Sequence, residues 1–299
     1  MAKKSLRAIV IIGLVTLTLP ISASAITLDF QGAFDFDGAD GIAFNPTSGN
    51  LFLAQTFFDI NDDAIQTRVV EVTTSGTEVL TFNPELHGLT DVQGLSFLPS
   101  PNANLLLTEQ DTPQGGVLEF TTTGDPVPLG INFSTLPTSD DGDGVIFHSG
   151  TNTVFIADDL TESIYEFNTS GGLLNTISTP GILPDFIDPE GITFDPETGN
   201  LLVVDAVAGT RSLYELTTAG ALVSSVDLEA LTGFADPEGV TIDRSTNTLY
   251  VAFDRDDKIG AFSIQPSQPV PEPSTGWLVG PAIAGLLAWR IRQRRRYIA

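Results

Sequence analysis

The phrase Asp188-Pro189-Glu190-Gly191-Ile192-Thr193-Phe194-Asp195-Pro196, followed by Asn200 and an apolar run to Asp205, returns 48 residues later as Asp236-Pro237-Glu238-Gly239-Val240-Thr241-Ile242-Asp243. With these two aligned, shorter copies stand at Asp40-Gly41-Ile42-Ala43-Phe44, Asp91-Val92-Gln93-Gly94-Leu95-Ser96-Phe97 and Asp141-Gly142-Asp143-Gly144-Val145-Ile146-Phe147. The anchoring glycines are therefore spaced by 53, 50, 47 and 48 residues. A period of that length belongs to a propeller blade or a similar all-β repeat, and five copies leave no room for a sixth.

Within one period the pattern reads as four short strands. In the fourth copy these are Gly191 to Phe194, Leu201 to Asp205, Ser212 to Thr217 and Ala221 to Leu228, separated by turn residues. The third strand carries its own repeat: Glu71 with Gly76, Glu119 with Gly124, Glu166 with Gly171 and Glu215 with Gly220. In each, the glycine is expected to supply the positive φ of the hairpin into the fourth strand. The fifth copy ends after its third strand, Lys258 to Ile264, where Pro266 begins a linker. Ile26 to Phe30 alternates like a strand and can take the missing place, which pairs the chain ends and leaves no free edge. The fold expected is an all-β propeller of five four-stranded blades, with a six-bladed ring less favoured and helix confined to the two ends.

The ends have a different character. Residues 1–25 carry a basic start (Lys3, Lys4, Arg7), an apolar run from Ala8 to Leu19 and the small-residue ending Ala23-Ser24-Ala25, which reads as a cleaved secretory signal. Residues 26–265 form the propeller, 266–275 a linker containing Pro271-Glu272-Pro273, and 276–299 an apolar stretch with a basic tail. As a helix, Gly276 to Trp289 would extend only roughly 21 Å, short of a hydrocarbon core of about 30 Å. Arg290, Arg292, Arg294, Arg295 and Arg296 would stay on the cytoplasmic side.

This ending resembles the PEP-CTERM sorting signal of Gram-negative bacteria. The resemblance implies recognition by an exosortase at the bacterial membrane, removal of the tail and delivery to the outer surface or the extracellular space, often beside exopolysaccharide.

Of the 13 lysines and arginines, only Arg68, Arg211, Arg244, Arg255 and Lys258 lie outside these ends, against all of the 38 acids but Glu272, so the body has a formal charge near −32. It repels nucleic acid and attracts cations. Cysteine is absent, which excludes disulfides, thiolate metal sites and a cysteine nucleophile.

Asp40, Asp141, Asp143, Asp188, Glu190, Asp236 and Glu238 belong to the repeated phrase and sit where the first strand of a blade enters the central channel. Gln55, Glu109, Asp158, Asp205 and Asp254 end the second strands and are expected to join them in an acidic funnel. Two readings of these acids stand: they end strands and satisfy turn amides, or they hold a cation, for which calcium is suited by its preference for six to eight oxygens. Ser139 to Gly144 is the densest single locus, whereas Asp59 to Asp63 imitates a calcium loop but has Val70 where the twelfth ligand belongs. His87 and His148 are the only histidines, and neither stands in a nucleophile motif.

The phrase Asp-x-Glu-Gly-Ile, followed by Asp-Pro and Asn-Leu-Leu-Val-Val-Asp, resembles the repeats of SdiA-regulated and phytase-esterase-like propellers, and more loosely the NHL and gluconolactonase groups. That resemblance implies calcium in the channel, with Glu190 and Glu238 at matching positions. The function expected is a secreted, surface-sorted binding module rather than an enzyme. The alternative is a metal-dependent lactonase or phosphoesterase working at the channel mouth.

Overall fold

The computed structural model describes residues 25–58, 64–99, 103–110, 116–128, 130–133 and 142–265. The predicted signal helix, the apolar C-terminal segment, Pro271-Glu272-Pro273, Asp141 and the whole Asp59 to Asp63 loop lie outside them. No helix among the described residues is long and apolar enough to cross a membrane.

Strand β1 (Leu28–Asp35) precedes five repeats of the same hairpin unit. The first blade is β2 (Ala39–Asn45), β3 (Asn50–Phe58), β4 (Ala64–Val72) and β5 (Glu78–Phe82). The second is β6 (Val92–Phe97), β7 (Leu105–Glu109), β8 (Gly116–Phe120) and β9 (Asn132–Phe133). The third is β10 (Val145–His148), β11 (Thr153–Asp158), β12 (Ser163–Asn168) and β13 (Leu173–Ser178). The fourth is β14 (Pro189–Asp195), β15 (Asn200–Asp205), β16 (Ser212–Thr217) and β17 (Leu222–Asp227), and the fifth is β18 (Pro237–Asp243), β19 (Thr248–Phe253) and β20 (Lys258–Ile264).

Each blade is a four-stranded antiparallel sheet, and the fifth is completed by β1 in the order β18-β19-β20-β1. Leu28 pairs with Ile264 and Asp35 with Lys258, so the outermost strand of the last blade comes from the start of the chain. The five inner strands β2, β6, β10, β14 and β18 each contact their neighbours around a closed ring. This is the expected five-bladed propeller with strand-exchange closure.

Burial explains why the second strand of each blade reads as an uninterrupted apolar run. Successive side chains of a strand point to opposite faces, and both faces of a blade are covered by other blades. Leu51 and Leu53 join the core shared with the fifth blade, while Phe52 and Ala54 join the core shared with the second. Leu202 and Val204 likewise face the fifth blade, and Leu201 and Val203 the third. The hydrophobic core is therefore five separate layers between blades.

Two kinds of glycine carry the geometry. Gly76, Gly124, Gly171 and Gly220, predicted as hairpin residues, have φ of +84°, +91°, +79° and +85°. Gly41, Gly94, Gly144, Gly191 and Gly239 serve closure instead. A Cβ on each would collide with the backbone oxygen of the residue before the corresponding glycine in the next blade, namely Gln93, Asp143, Glu190, Glu238 and Asp40. The inner strands approach this closely only because the ring of five lacks side chains there.

Helix is not confined to the chain ends. A single turn, α1 (Leu228–Thr232), follows β17, with the Asp227 side chain accepting from the Ala230 N–H at 2.8 Å and Gly233 at φ +75° closing it. Five residues are too few to produce a helical period in the sequence, but the Asp cap and the Gly stop are legible once the turn is known.

Candidate cation site at the acidic channel mouth

The residue just before each ring glycine is aimed by an irregularity in its sheet. Between β14 and β15 the register moves from Pro189↔Asp205 to Ile192↔Val203, three residues on one strand against two on the other. The same shift occurs at Ala39 to Ile42, at Val92 to Leu95 and at Pro237 to Gly239. An extra residue leaves the ladder and turns its side chain out of the sheet. Asp40, Gln93, Glu190 and Glu238 are thereby brought to the mouth, and Asp143, just ahead of β10, holds the same place before the ring glycine of the third blade. Pro189 and Pro237 are tolerated because the ladder is already broken at these points.

The five members are not equivalent. Asp40 and Asp143 are buried and each accepts a backbone N–H, Asp40 Oδ2 from Thr56 at 3.1 Å and Asp143 Oδ2 from Asp159 at 3.0 Å. Gln93 donates to Asp91 Oδ1 at 2.7 Å. Glu190 and Glu238 instead meet carboxyl to carboxyl, and the charge of Glu238 acts directly on Glu190.

The electrostatics follow from this crowding. Burial, followed by the charges of Glu238, Asp143, Asp159 and Asp188, holds the Glu190 carboxyl well above the usual carboxylate range. Glu238 is pushed up to about 8 by burial, then by Asp236 and Asp254. Asp40 is also held well above its ordinary value, first by burial and then by Asp254, Glu238 and Asp91. Asp188, half-buried, is raised by burial and by Asp159 and Asp236. Like charges in a desolvated mouth cannot all ionise without a counterion.

Within this mouth, oxygens of Asp159, Asp188 and Glu190 lie within 4.8 Å of one another. Asp159 Oδ1 is buried and has no hydrogen-bond partner among the described residues. A desolvated carboxylate oxygen without a donor is costly, and a cation at the point shared with Asp188 and Glu190 would satisfy it. The donor set is all hard oxygen, which fits calcium and excludes nothing about the remaining coordination positions.

Asp188 is held by its own main chain, whose N–H donates to Asp205 Oδ2 at 3.0 Å. Asp236 occupies the corresponding place in the next blade with φ +59°, a left-handed conformation that Asp tolerates better than most residues. Arg255 lies 3.7 Å from Asp236, the one ion pair with a mouth residue among the described residues.

Of the second-strand acids, Asp254 joins the expected funnel as a charge acting on Asp40 and Glu238, whereas Glu109, Asp158 and Asp205 are engaged by loop amides. Glu109 Oε1 accepts the Thr90 N–H at 2.7 Å, Asp158 Oδ1 accepts the Thr161 N–H at 2.8 Å, and Asp205 takes the Asp188 and Val207 N–H groups. Burial nonetheless raises Asp205 to about 6. These residues tie the loop that enters one strand to the end of another, and their oxygens are already occupied. Asp159, which follows Asp158, was missed by sequence reasoning because it falls outside both repeated phrases.

The histidines stand apart. His148 ends β10 at the far side of the channel, bonded to Thr151 and packed edge-on against Phe194 with ring centres 4.0 Å apart. Burial lowers its pKa. His87 packs against Phe120.

No curated protein matches the chain. Solved structures similar to it include the glutaminyl cyclase of Myxococcus xanthus, at 11% identity and a TM-score of 0.57, covering 81% of this chain and 99% of that one. Another is the gluconolactonase XC5397 of Xanthomonas campestris, at 12% identity and a TM-score of 0.51, covering 82% and 92%. At such identities the likeness shows the fold. The SdiA-regulated family model matches residues 185–274, the stretch holding both full copies of the repeated phrase. The PEP-CTERM protein-sorting motif matches residues 269–295, so the chain is an exosortase-sorted, exported protein of Gram-negative bacteria whose body is a five-bladed β-propeller.

Proposed function

We propose that the propeller is a calcium-stabilised binding module displayed at the outer surface or in the extracellular matrix, with its cation held at the channel mouth. The observation that carries this reading is the unpartnered Asp159 Oδ1 beside Asp188 and Glu190. Those three residues would bind the ion, and Glu238, whose carboxyl meets that of Glu190, would ionise beside it. Calcium would supply charge neutralisation and open coordination positions.

Three carboxylates leave several of the six to eight positions of calcium unfilled. Asp159 and Asp188 are only half-buried, so those positions face the solvent side of the mouth. A ligand rich in hydroxyl or carboxylate oxygens, such as an exopolysaccharide, has the chemistry to occupy them. The strongly acidic surface disfavours polyanions that bring no cation of their own.

The test is a calcium titration followed by melting temperature, in wild type and in Asp188→Asn and Glu190→Gln. A rise at millimolar calcium in wild type, lost in both variants, supports the reading. An unchanged melting temperature in wild type would sink it. Calcium-dependent turnover of lactones or phosphoesters that disappears in Glu190→Gln and Glu238→Gln would replace the binding module with a metal-dependent hydrolase.

A further inference from the structure

The amide nitrogen of Ile26 lies 3.1 Å from Glu215 Oε2 and 3.2 Å from Ser224 Oγ. Ile26 is also the first residue after the Ala23-Ser24-Ala25 cleavage point read from the sequence. We propose that signal removal converts this amide into an α-ammonium that forms a buried ion pair with Glu215, locking the closing strand of the ring onto the neighbouring blade.

The carboxylate is built to receive a charge. Glu215 is 1% exposed and accepts Asn200 Nδ2 and Ser224 Oγ, both at 2.7 Å. All its hydrogen bonds come from neutral donors, and among the described residues no lysine or arginine pairs with it. Arg244 lines the same cavity of about 130 Å³ but is engaged by Asp195 and by Glu197 at 3.4 Å. A buried carboxylate with no cation is destabilising. Among the described residues, the only group at hydrogen-bond distance that processing can make cationic is the nitrogen of Ile26.

The equivalent glutamates do without such a partner. Glu71 is bonded by Ser48 and Asn50, and Glu119 by Asn104 and the Ile131 N–H, all within their own blades. Glu215 belongs to β16 in the fourth blade, whereas Ile26 leads into β1 in the fifth. The contact therefore spans the junction where the ring is closed. The side chain of Ile26 packs on the core layer between those two blades, which includes Leu28, Leu202 and Leu213. Ala25, on the other side of the cleavage point, is exposed. Cleavage adds one water across the Ala25–Ile26 bond, leaving a carboxylate on Ala25 and the ammonium on Ile26.

The experiment uses the full chain exported and processed by its host. N-terminal sequencing should return Ile26 as the first residue; any other start would overturn the proposal. A second form carries Gly-Ser inserted between Ala25 and Ile26, so that cleavage leaves the ammonium two residues away from Glu215. Both forms are melted with and without Glu215→Gln, which preserves shape and hydrogen-bonding capacity but removes the charge. The insertion is expected to lower the melting temperature by about 4–8 °C with Glu215 present and by much less in the Gln background. Equal losses in the two backgrounds would show that the insertion acts through packing alone and would refute the ion pair.

Discussion

Among single residues, the carboxylates of the mouth and the glycines behind them have opposed effects on stability. Glu238 is raised from an ordinary 4.5 to about 8, so between those values the folded protein binds a proton that the unfolded chain has released. Its contribution is fully present below about pH 4.5 and is lost as the pH rises through about 8. The calcium-free protein should accordingly melt at a higher temperature near pH 5 than near pH 8. Calcium should reverse the order, because it needs the ionised carboxylates; thermal melts at both pH values, with and without the ion, check this. Glu238→Gln should stabilise the calcium-free protein at pH 8 by about 1–2 kcal/mol, measured by denaturant titration, because it removes one of the crowded charges. Gly191→Ala places a methyl group against the backbone of Glu238, Gly239 and Val240. Nothing there is a flexible side chain, so a loss of about 3 kcal/mol is expected in the same assay.

Between strands, the fold depends on a pairing made by residues more than 200 positions apart in the chain. Leu28 is 7% exposed and sits in the layer between the fourth and fifth blades, paired with Ile264. Leu28→Ala should cost about 2–4 kcal/mol. Removing β1 altogether should expose the edge of β20 and cause self-association, visible by light scattering. The early end of the fifth repeat made this closure readable, because a blade with three strands and a spare alternating segment at the other terminus have one economical solution. The blade strands were legible from Gly, Asp and Asn punctuation and from the continuous apolar runs of β3, β11 and β15, which two-sided burial requires. Less was legible at the site. The repeated Asp, Glu and Gly pointed to the mouth, but which acids would be used up by backbone amides depends on loop paths that leave no pattern in the sequence. Asp143 and Asp40 are held in this way, while Asp159 lies in no repeated phrase and is left with an oxygen unpartnered.

Across the whole molecule, five inter-blade layers supply cohesion and the channel mouth concentrates the cost. A body with five cationic residues against 37 acids cannot neutralise its own interior carboxylates, so on the proposed reading its stability would be tied to the cations around it. An exported, sorted protein meets calcium outside the cytoplasm, which would make the ion a signal of arrival as well as a support. Deleting Pro271 to Pro273 should leave the protein unsorted, and cell fractionation showing normal surface delivery would contradict that assignment. The central claim is tested most directly by a crystal structure of the processed protein grown with calcium. The account predicts an ion bonded to Asp159 Oδ1, Asp188 and Glu190 at about 2.3–2.6 Å. An ordered mouth that holds only water at millimolar calcium would contradict it.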